Sequence, residues 1–210
     1  MILCDIGNHN ADFFHDGKIW SINLTEFQNY RPEEKVFYIS VNEYFLKKLK
    51  DSPNFINIEH LFDFDTIYQG MGIDRIAACT AVNDGMVVDA GSAITVDIMS
   101  NSIHLGGFIM PGLSSYEKCF AGISDRLRFR LNPNIDLEAL PQKTTNALSY
   151  GTIKPILMIL GDSCKDKKIY FTGGDGKFFS KYFKNSIYDR MLIFRGMKST
   201  IEKNYKNLAE

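Results

Sequence analysis

The sequence predicts an α/β protein built from two similar domains that face a cleft. Three observations carry this reading. An apolar strand runs into Asp-x-Gly at Asp5–Gly7 and again at Asp89–Gly91, each time followed by an alternating strand, a polar turn and a third strand. Each of these meanders leads into alternating helices and strands, the pattern of a layered α/β unit that has been duplicated. The chain has 210 residues, of which 45% are hydrophobic and 16 are phenylalanine, enough to fill sizeable cores. No Ser/Gly linker separates the halves, so they are expected to pack closely; the boundary is placed near Asn83–Gly85, with residues 1–84 as an N-terminal domain and 85–210 as a C-terminal domain.

Element by element, residues 1–6, 10–15 and 18–23 alternate as three strands, with Asp16-Gly17 as a hairpin turn. A short helix is expected near Glu26–Tyr30, a strand over "KVFYIS", a helix over "NEYFLKKLK" and a strand over "FINIEHL". "DRIAACTAV" reads as a helix with Asp74 as its N-cap. In the second half, residues 85–110 hold three strands with a polar turn at Ser100–Ser102, and Pro111-Gly112 opens a helix over "LSSYEKCFAGI". Residues 125–143 read as an irregular connection. A long helix over Thr144–Gly161 follows, bent or interrupted near Gly151 and Pro155. "KKIYFTGG" is a strand ending in a glycine pair, "GKFFSKYF" a helix, "MLIF" a strand and "MKSTIEKNYKNLA" the closing helix.

Composition narrows the function. Lys plus Arg (24) nearly balances Asp plus Glu (25), so no basic excess points to nucleic acid. Cys4, Cys79, Cys119 and Cys164 show no metal-ligand spacing, and Cys4 and Cys79 lie in apolar stretches as packing residues. Together with the absence of a signal-peptide pattern or a membrane-length apolar run, this predicts a cytoplasmic protein with reduced thiols and no membrane partner. His15, His60 and His104 have no ligand-like spacing and read as ordinary residues.

The repeated turn has a chemical use. Glycine lets backbone amides approach a phosphate closely, while a neighbouring carboxylate holds a cation that bridges to it. Two such turns would clasp a polyphosphate, although Asp, Gly and Asn are also ordinary turn residues. Thr172-Gly173-Gly174 ends a strand before a helix, either as a phosphate or ribose contact or as a plain connection. In "GIDR", Asp74 either caps a helix or takes a proton from a hydroxyl. Arg75 either faces solvent or forks onto a substrate carboxylate.

The ordered motifs "DIGN" (5–8), "GIDR" (72–75), "DAGSAITVD" (89–97), "GGFIMPG" (106–112), "TTNALSYG" (144–151) and "TGG" (172–174) run through most of the chain. In series they resemble the type III pantothenate kinases, of the superfamily of acetate and sugar kinases, Hsp70 and actin. The resemblance implies two duplicated ribonuclease-H-like, actin-like ATPase domains and ATP-dependent phosphorylation of pantothenate, the first step toward coenzyme A. It places ATP contacts on Asp5, Ile6, Gly7, Asn8, His9, Asn10, Ala11 and Asp12 and on Ser92, and the turn at Gly173 and Gly174 is counted with them. Pantothenate falls to Gly72, Ile73, Asp74, Arg75 and Thr144, with Tyr68 lining its pocket or simply packing, and Asp74 is the implied catalytic base. Magnesium with ATP is implied near Asp5, and a monovalent cation, potassium or ammonium, at Asp89. The resemblance further implies a homodimer. His9 stands where the family usually has Thr or Ser, Ser92 replaces a usual Thr, and the chain is short for the family. Two rivals stay open: a non-catalytic nucleotide-binding regulator on the same fold, and a kinase for another small hydroxy acid or sugar.

Overall fold

The structure, a computed structural model, describes residues 1–208. It holds two five-stranded mixed sheets. The chain divides into two compact units: 1–83 with 101–104 and the segment from Met191 onward, and 84–100 with 105–190.

In the first unit β1 (Ile2–Ile6), β2 (Asn10–His15) and β3 (Lys18–Asn23) form the expected antiparallel meander. Its hairpin turns through Asp16 (φ 47°) and Gly17 (φ 81°), the left-handed pair that an Asp-Gly turn supplies. α1 (Leu24–Phe27) starts earlier than expected, because Asn23 caps it through Glu26 N–H. β4 (Val36–Ser40) pairs parallel with β1, and β5 (Phe55–Asn57) parallel with β4 across α2 (Glu43–Leu49). The strand order is therefore β3-β2-β1-β4-β5. One sheet face buries Cys4, Ile6 and Phe13 against Phe27, Phe45 and Phe55. The other buries Leu3 and Ile39 against Ala77, Phe194 and Met197. "FINIEHL" is only half strand: after Asn57 it turns into a 3-10 turn, Glu59–Leu61.

The second unit repeats the plan. β6 (Gly85–Ala90), β7 (Ala93–Ser100) and β8 (Ile103–Pro111) form a meander. β9 (Ile169–Thr172) pairs parallel with β6, and β10 (Ser186–Tyr188) parallel with β9. The order β10-β9-β6-β7-β8 is the first sheet's order with each strand replaced by its counterpart, the topology of a duplication. Its core gathers Met86, Val88, Ile94 and Phe171 with Ile153, Ile156 and Leu160 of a long helix.

α3 (Ile73–Thr80) belongs to the first unit; α4 (Leu113–Ile123), α5 (Thr144–Cys164) and α6 (Gly176–Ser180) belong to the second. α5 runs uninterrupted through Gly151 and Pro155, both exposed, so the carbonyl that proline leaves without a donor lies on a solvent-facing stretch. Residues 125–143 are irregular apart from a 3-10 turn, Asp125–Leu127. "MLIF" is not a strand: α7 (Leu192–Leu208) takes in its last three residues, because Phe194, Met197 and Ile201 recur at helical spacing and bury one face. α7 also groups with the first unit rather than with the second half of the sequence, packing against α3 through Ala77. Ala209, the end of the expected closing helix, lies outside the described residues.

Cys4, Cys79 and Cys164 are buried and Cys119 on α4 is exposed. No described helix is long and apolar enough to cross a membrane.

Candidate active site

In the first unit the chemistry gathers at the C-terminal end of β1. Asp5 stands directly opposite Asp12 on β2 and beside Ile39 on β4. Cross-strand partners share a sheet face, so two carboxylates are brought together, repelling each other unless a cation intervenes. Ser21, opposite Asp12 on β3, donates its hydroxyl to Asp12 Oδ1. Oδ1 of Asp5 is shut off from solvent. Gly7 N–H donates to Asn10 O (3.0 Å) and closes the turn, leaving Asn8, His9 and Asn10 exposed. Ile6 and Ala11 face the other way, into the core. On that face, burial pushes the Cys4 thiol well above its usual range, and the charges of Asp5 and Asp12 push it further.

α3 presents a second cluster. Its N-cap is Gly72, not Asp74; the helix begins two residues sooner than the sequence suggests, which puts Asp74 in the first turn. There Asp74 Oδ1 accepts a hydrogen bond from Arg75 N–H (2.7 Å), a favourable place for negative charge at the positive end of the helix. Gly72 is needed for contact rather than for conformation: its φ is an ordinary −64°. A Cβ there would lie 2.6 Å from Asp74 Oδ1 and drive the carboxylate from its seat. Arg75 is buried, with its guanidinium 4.8 Å from the centroid of the half-buried Tyr68 ring. Ile73 opens the helix and packs against the core shared by α3 and α7.

Sequence reasoning missed the support behind Tyr68. His104, read as ordinary, is buried, and its Nδ1 lies 2.7 Å from Thr66 Oγ1. The two residues lie far apart in the chain, and no spacing pattern announces them.

In the second unit Asp89 is the penultimate residue of β6, beside Thr172 of β9 and opposite Thr95 of β7. Gly173 follows with φ 78°, a left-handed conformation, and any Cβ on it would collide with Asp89 Oδ1 and come within 2.5 Å of Ala90 O. Asp175 N–H donates to Ala90 O (2.8 Å), so the Thr-Gly-Gly turn is laced onto the end of β6. The β6–β7 turn is tied in turn to the start of α4. Ser92 O accepts from Gly112 N–H (3.0 Å) and from Ser115 Oγ (2.6 Å), which leaves the Ser92 side chain exposed. Burial, followed by the charge of Glu117, raises the Asp175 carboxyl above its ordinary range. Gly174 is exposed, and Thr144 stands exposed as the first residue of α5. Among the described residues no group of three or more His, Cys, Asp or Glu is placed to hold a metal ion.

The chain as a whole has known relatives. A sequence model of a family described as type III pantothenate kinase matches residues 36–162. A protein of Campylobacter jejuni (serotype O:2) named type III pantothenate kinase is 56% identical over 204 residues, spanning 97% of this chain and 98% of its own. A solved structure described as a conserved Baf family transcriptional activator, also from Campylobacter jejuni, matches with TM-score 0.92 and 54% identity, covering 98% and 100% of the two chains. At the level of fold alone, the apo psk41 ParM protein matches with TM-score 0.51 and 11% identity over 100% and 98% of the chains. The fold is thus that of the actin-like ATPases and sugar kinases.

Proposed function

The chain belongs to the type III pantothenate kinases, and on that premise we propose how its residues transfer the γ-phosphoryl group of ATP to pantothenate. The product is 4'-phosphopantothenate, at the first step of coenzyme A biosynthesis. The observation that carries the residue assignment is the Asp74–Arg75 pair at the start of α3, with Gly72 keeping the Asp74 carboxylate in place. Asp74 takes the proton from the acceptor hydroxyl as its oxygen bonds the γ-phosphorus and the bond to the ADP oxygen breaks. Arg75 pairs with the pantothenate carboxylate, and Tyr68 braces the guanidinium. Thr144 is assigned to pantothenate by the family resemblance.

The phosphates fall to the Asp5–Asp12 segment, where Gly7 and the exposed Asn8, His9 and Asn10 present backbone and polar side chains. His9, lacking the family's usual hydroxyl, contributes its imidazole or its amide. Ser92, Gly173 and Gly174 are likewise assigned to ATP.

The residues fit both implied cations. Asp5 and Asp12 are opposed carboxylates, and magnesium accompanying ATP would be held near Asp5, where it neutralises phosphate charge. Asp89 offers a hard carboxylate oxygen at a glycine-walled turn, suited to potassium or ammonium as a fixed charge. We assign the protein to the cytoplasm as a homodimer. The exposed apolar Leu105 (58%) and Ile109 (57%) on edge strand β8 support the latter.

The second reading, a regulator without catalysis, draws on the description of the Campylobacter structure. The retained Asp5, Asp74, Arg75 and Asp89 favour the enzyme, since a regulator has no use for a base. The test is ADP release from magnesium-ATP on adding pantothenate, in potassium and in sodium. Turnover that requires pantothenate and falls by about a thousandfold in Asp74→Asn supports the reading. Folded protein that binds ATP yet never turns over pantothenate supports the regulator instead.

A further inference from the structure

Between the 3-10 turn at Glu59–Leu61 and α3 the chain has no helix and no strand, only one isolated parallel bridge from Thr66 to His104. This irregular stretch nevertheless carries Tyr68, the ring that faces the Arg75 guanidinium. A segment without regular backbone pairing needs an external tether to hold a side chain in one place.

His104 is that tether. It is 2% exposed and follows the left-handed turn at Asn101 and Ser102. Its backbone N–H donates to Asp65 O (3.3 Å), and its Nδ1 meets Thr66 Oγ1 at 2.7 Å. The same Thr66 oxygen accepts the Tyr68 N–H at 3.0 Å. The imidazole is flanked by Phe64 at 5.7 Å and by Tyr68 at 5.9 Å, centroid to centroid. Both the backbone and the ring of Tyr68 are therefore referred to one buried imidazole. The bonds run through a single hydroxyl that accepts from one side and bonds the ring nitrogen on the other.

We propose that Thr66 and His104 are positioning residues that preset Tyr68, and through it the Arg75 fork, for an acceptor carboxylate before the acceptor arrives. This inference rests on the pantothenate reading of Arg75. Neither residue need touch substrate. Their contribution is to spare the acceptor the ordering of this loop, so it shows in binding and in discrimination for the carboxylate, not in the phosphoryl-transfer step.

The experiment compares Thr66→Val, Thr66→Ser and His104→Phe on pantothenate and on panthenol, the analogue with a hydroxymethyl in place of the carboxylate. Thr66→Val is expected to raise the pantothenate KM about tenfold with kcat within about twofold, and to leave kcat/KM for panthenol nearly unchanged. Thr66→Ser restores the hydroxyl and the wild-type KM. His104→Phe keeps the ring contacts but loses the bond, and is expected to follow Thr66→Val. A pantothenate KM within about twofold of wild type in both Thr66→Val and His104→Phe overturns the proposal. So does a loss in kcat alone.

Hydrogen exchange on the wild-type protein provides a reading independent of any variant's folding. A Tyr68 amide already protected without pantothenate supports a preset loop, and one protected only after pantothenate is added overturns it. Wild type that never phosphorylates pantothenate sinks the kinase reading, whereas active wild type with indifferent variants sinks only the tether.

Discussion

The β1–β2 turn and the β6–β7 turn come from the same duplicated plan, yet they sit in different surroundings. At the first, a Cβ on Gly7 would meet nothing closer than Asn10 O at 3.5 Å, an ordinary contact, and three exposed residues follow. At the second, a Cβ on the turn's own Gly91 is as unhindered, 3.8 Å from Ala93 O, but neighbouring segments wall the turn. Gly173 presses on Asp89 and Ala90, while the start of α4 holds the Ser92 carbonyl. Duplication preserved the place of the carboxylate and let its surroundings diverge, one turn left open and the other hemmed in by neighbouring segments.

That contrast can be broken most forcefully at the carboxylates. On the proposed reading, Asp5→Asn is expected to lower kcat about a thousandfold, since it removes the carboxylate assigned to hold magnesium beside the phosphates. Asp89→Asn should cost about tenfold and abolish the difference between potassium and sodium in the same ADP-release assay. Equal losses in the two variants would mean that the turns share one role.

A second contrast is mechanical. Gly173→Ala forces a side chain into a left-handed position against backbone atoms, and urea unfolding should show a loss of about 3 kcal/mol. Gly7→Ala meets no such wall, and its loss should stay below about 1 kcal/mol. A reversed order would show that the tight packing of the Thr-Gly-Gly turn against the end of β6 is not what holds it.

The smallest effect is electrostatic. The folded Asp175 carboxyl is raised above its ordinary value of 3.8 by burial and then by Glu117. The fold therefore favours its protonated form, and this contribution is present below pH 3.8 and lost as pH rises through the higher folded value. Asp175 caps α6 without a side-chain hydrogen bond, so Asn there forfeits no cap. Asp175→Asn should melt slightly higher than wild type at neutral pH, and the gap should close on acidification toward the unfolded value. A gap that grows on acidification would reverse the sign and exclude this account.

The meanders were legible in the sequence because period-two alternation is interrupted at polar pairs, Asp16-Gly17 and Asn101-Ser102, that take left-handed conformations. The end of the chain was not. Four apolar residues, "MLIF", fit a buried strand as well as the first turn of a helix, and only their continuation through Met197 and Ile201 decides the matter. β10 escaped notice because three residues carry no period.

At the site, the motifs named Asp74 and Arg75 but misplaced the helix start, since Asp is a good cap and glycine a silent one. The reason for Gly72 emerges only in three dimensions, where it makes room for its neighbour's carboxylate. Thr66 and His104 were invisible for a different reason. Their bond joins segments 38 positions apart, and a tertiary contact of that kind leaves no local pattern.

The sorting of the thiols has a practical consequence. Cys4 sits at 0% exposure with its ionisation strongly opposed, Cys79 is equally enclosed, and burial opposes ionisation of Cys164. Cys119 stands alone on the surface of α4. A maleimide dye added to the native protein should therefore attach at one position. The wild-type chain comes ready for single-site fluorescence, with no cysteine to be engineered in or out.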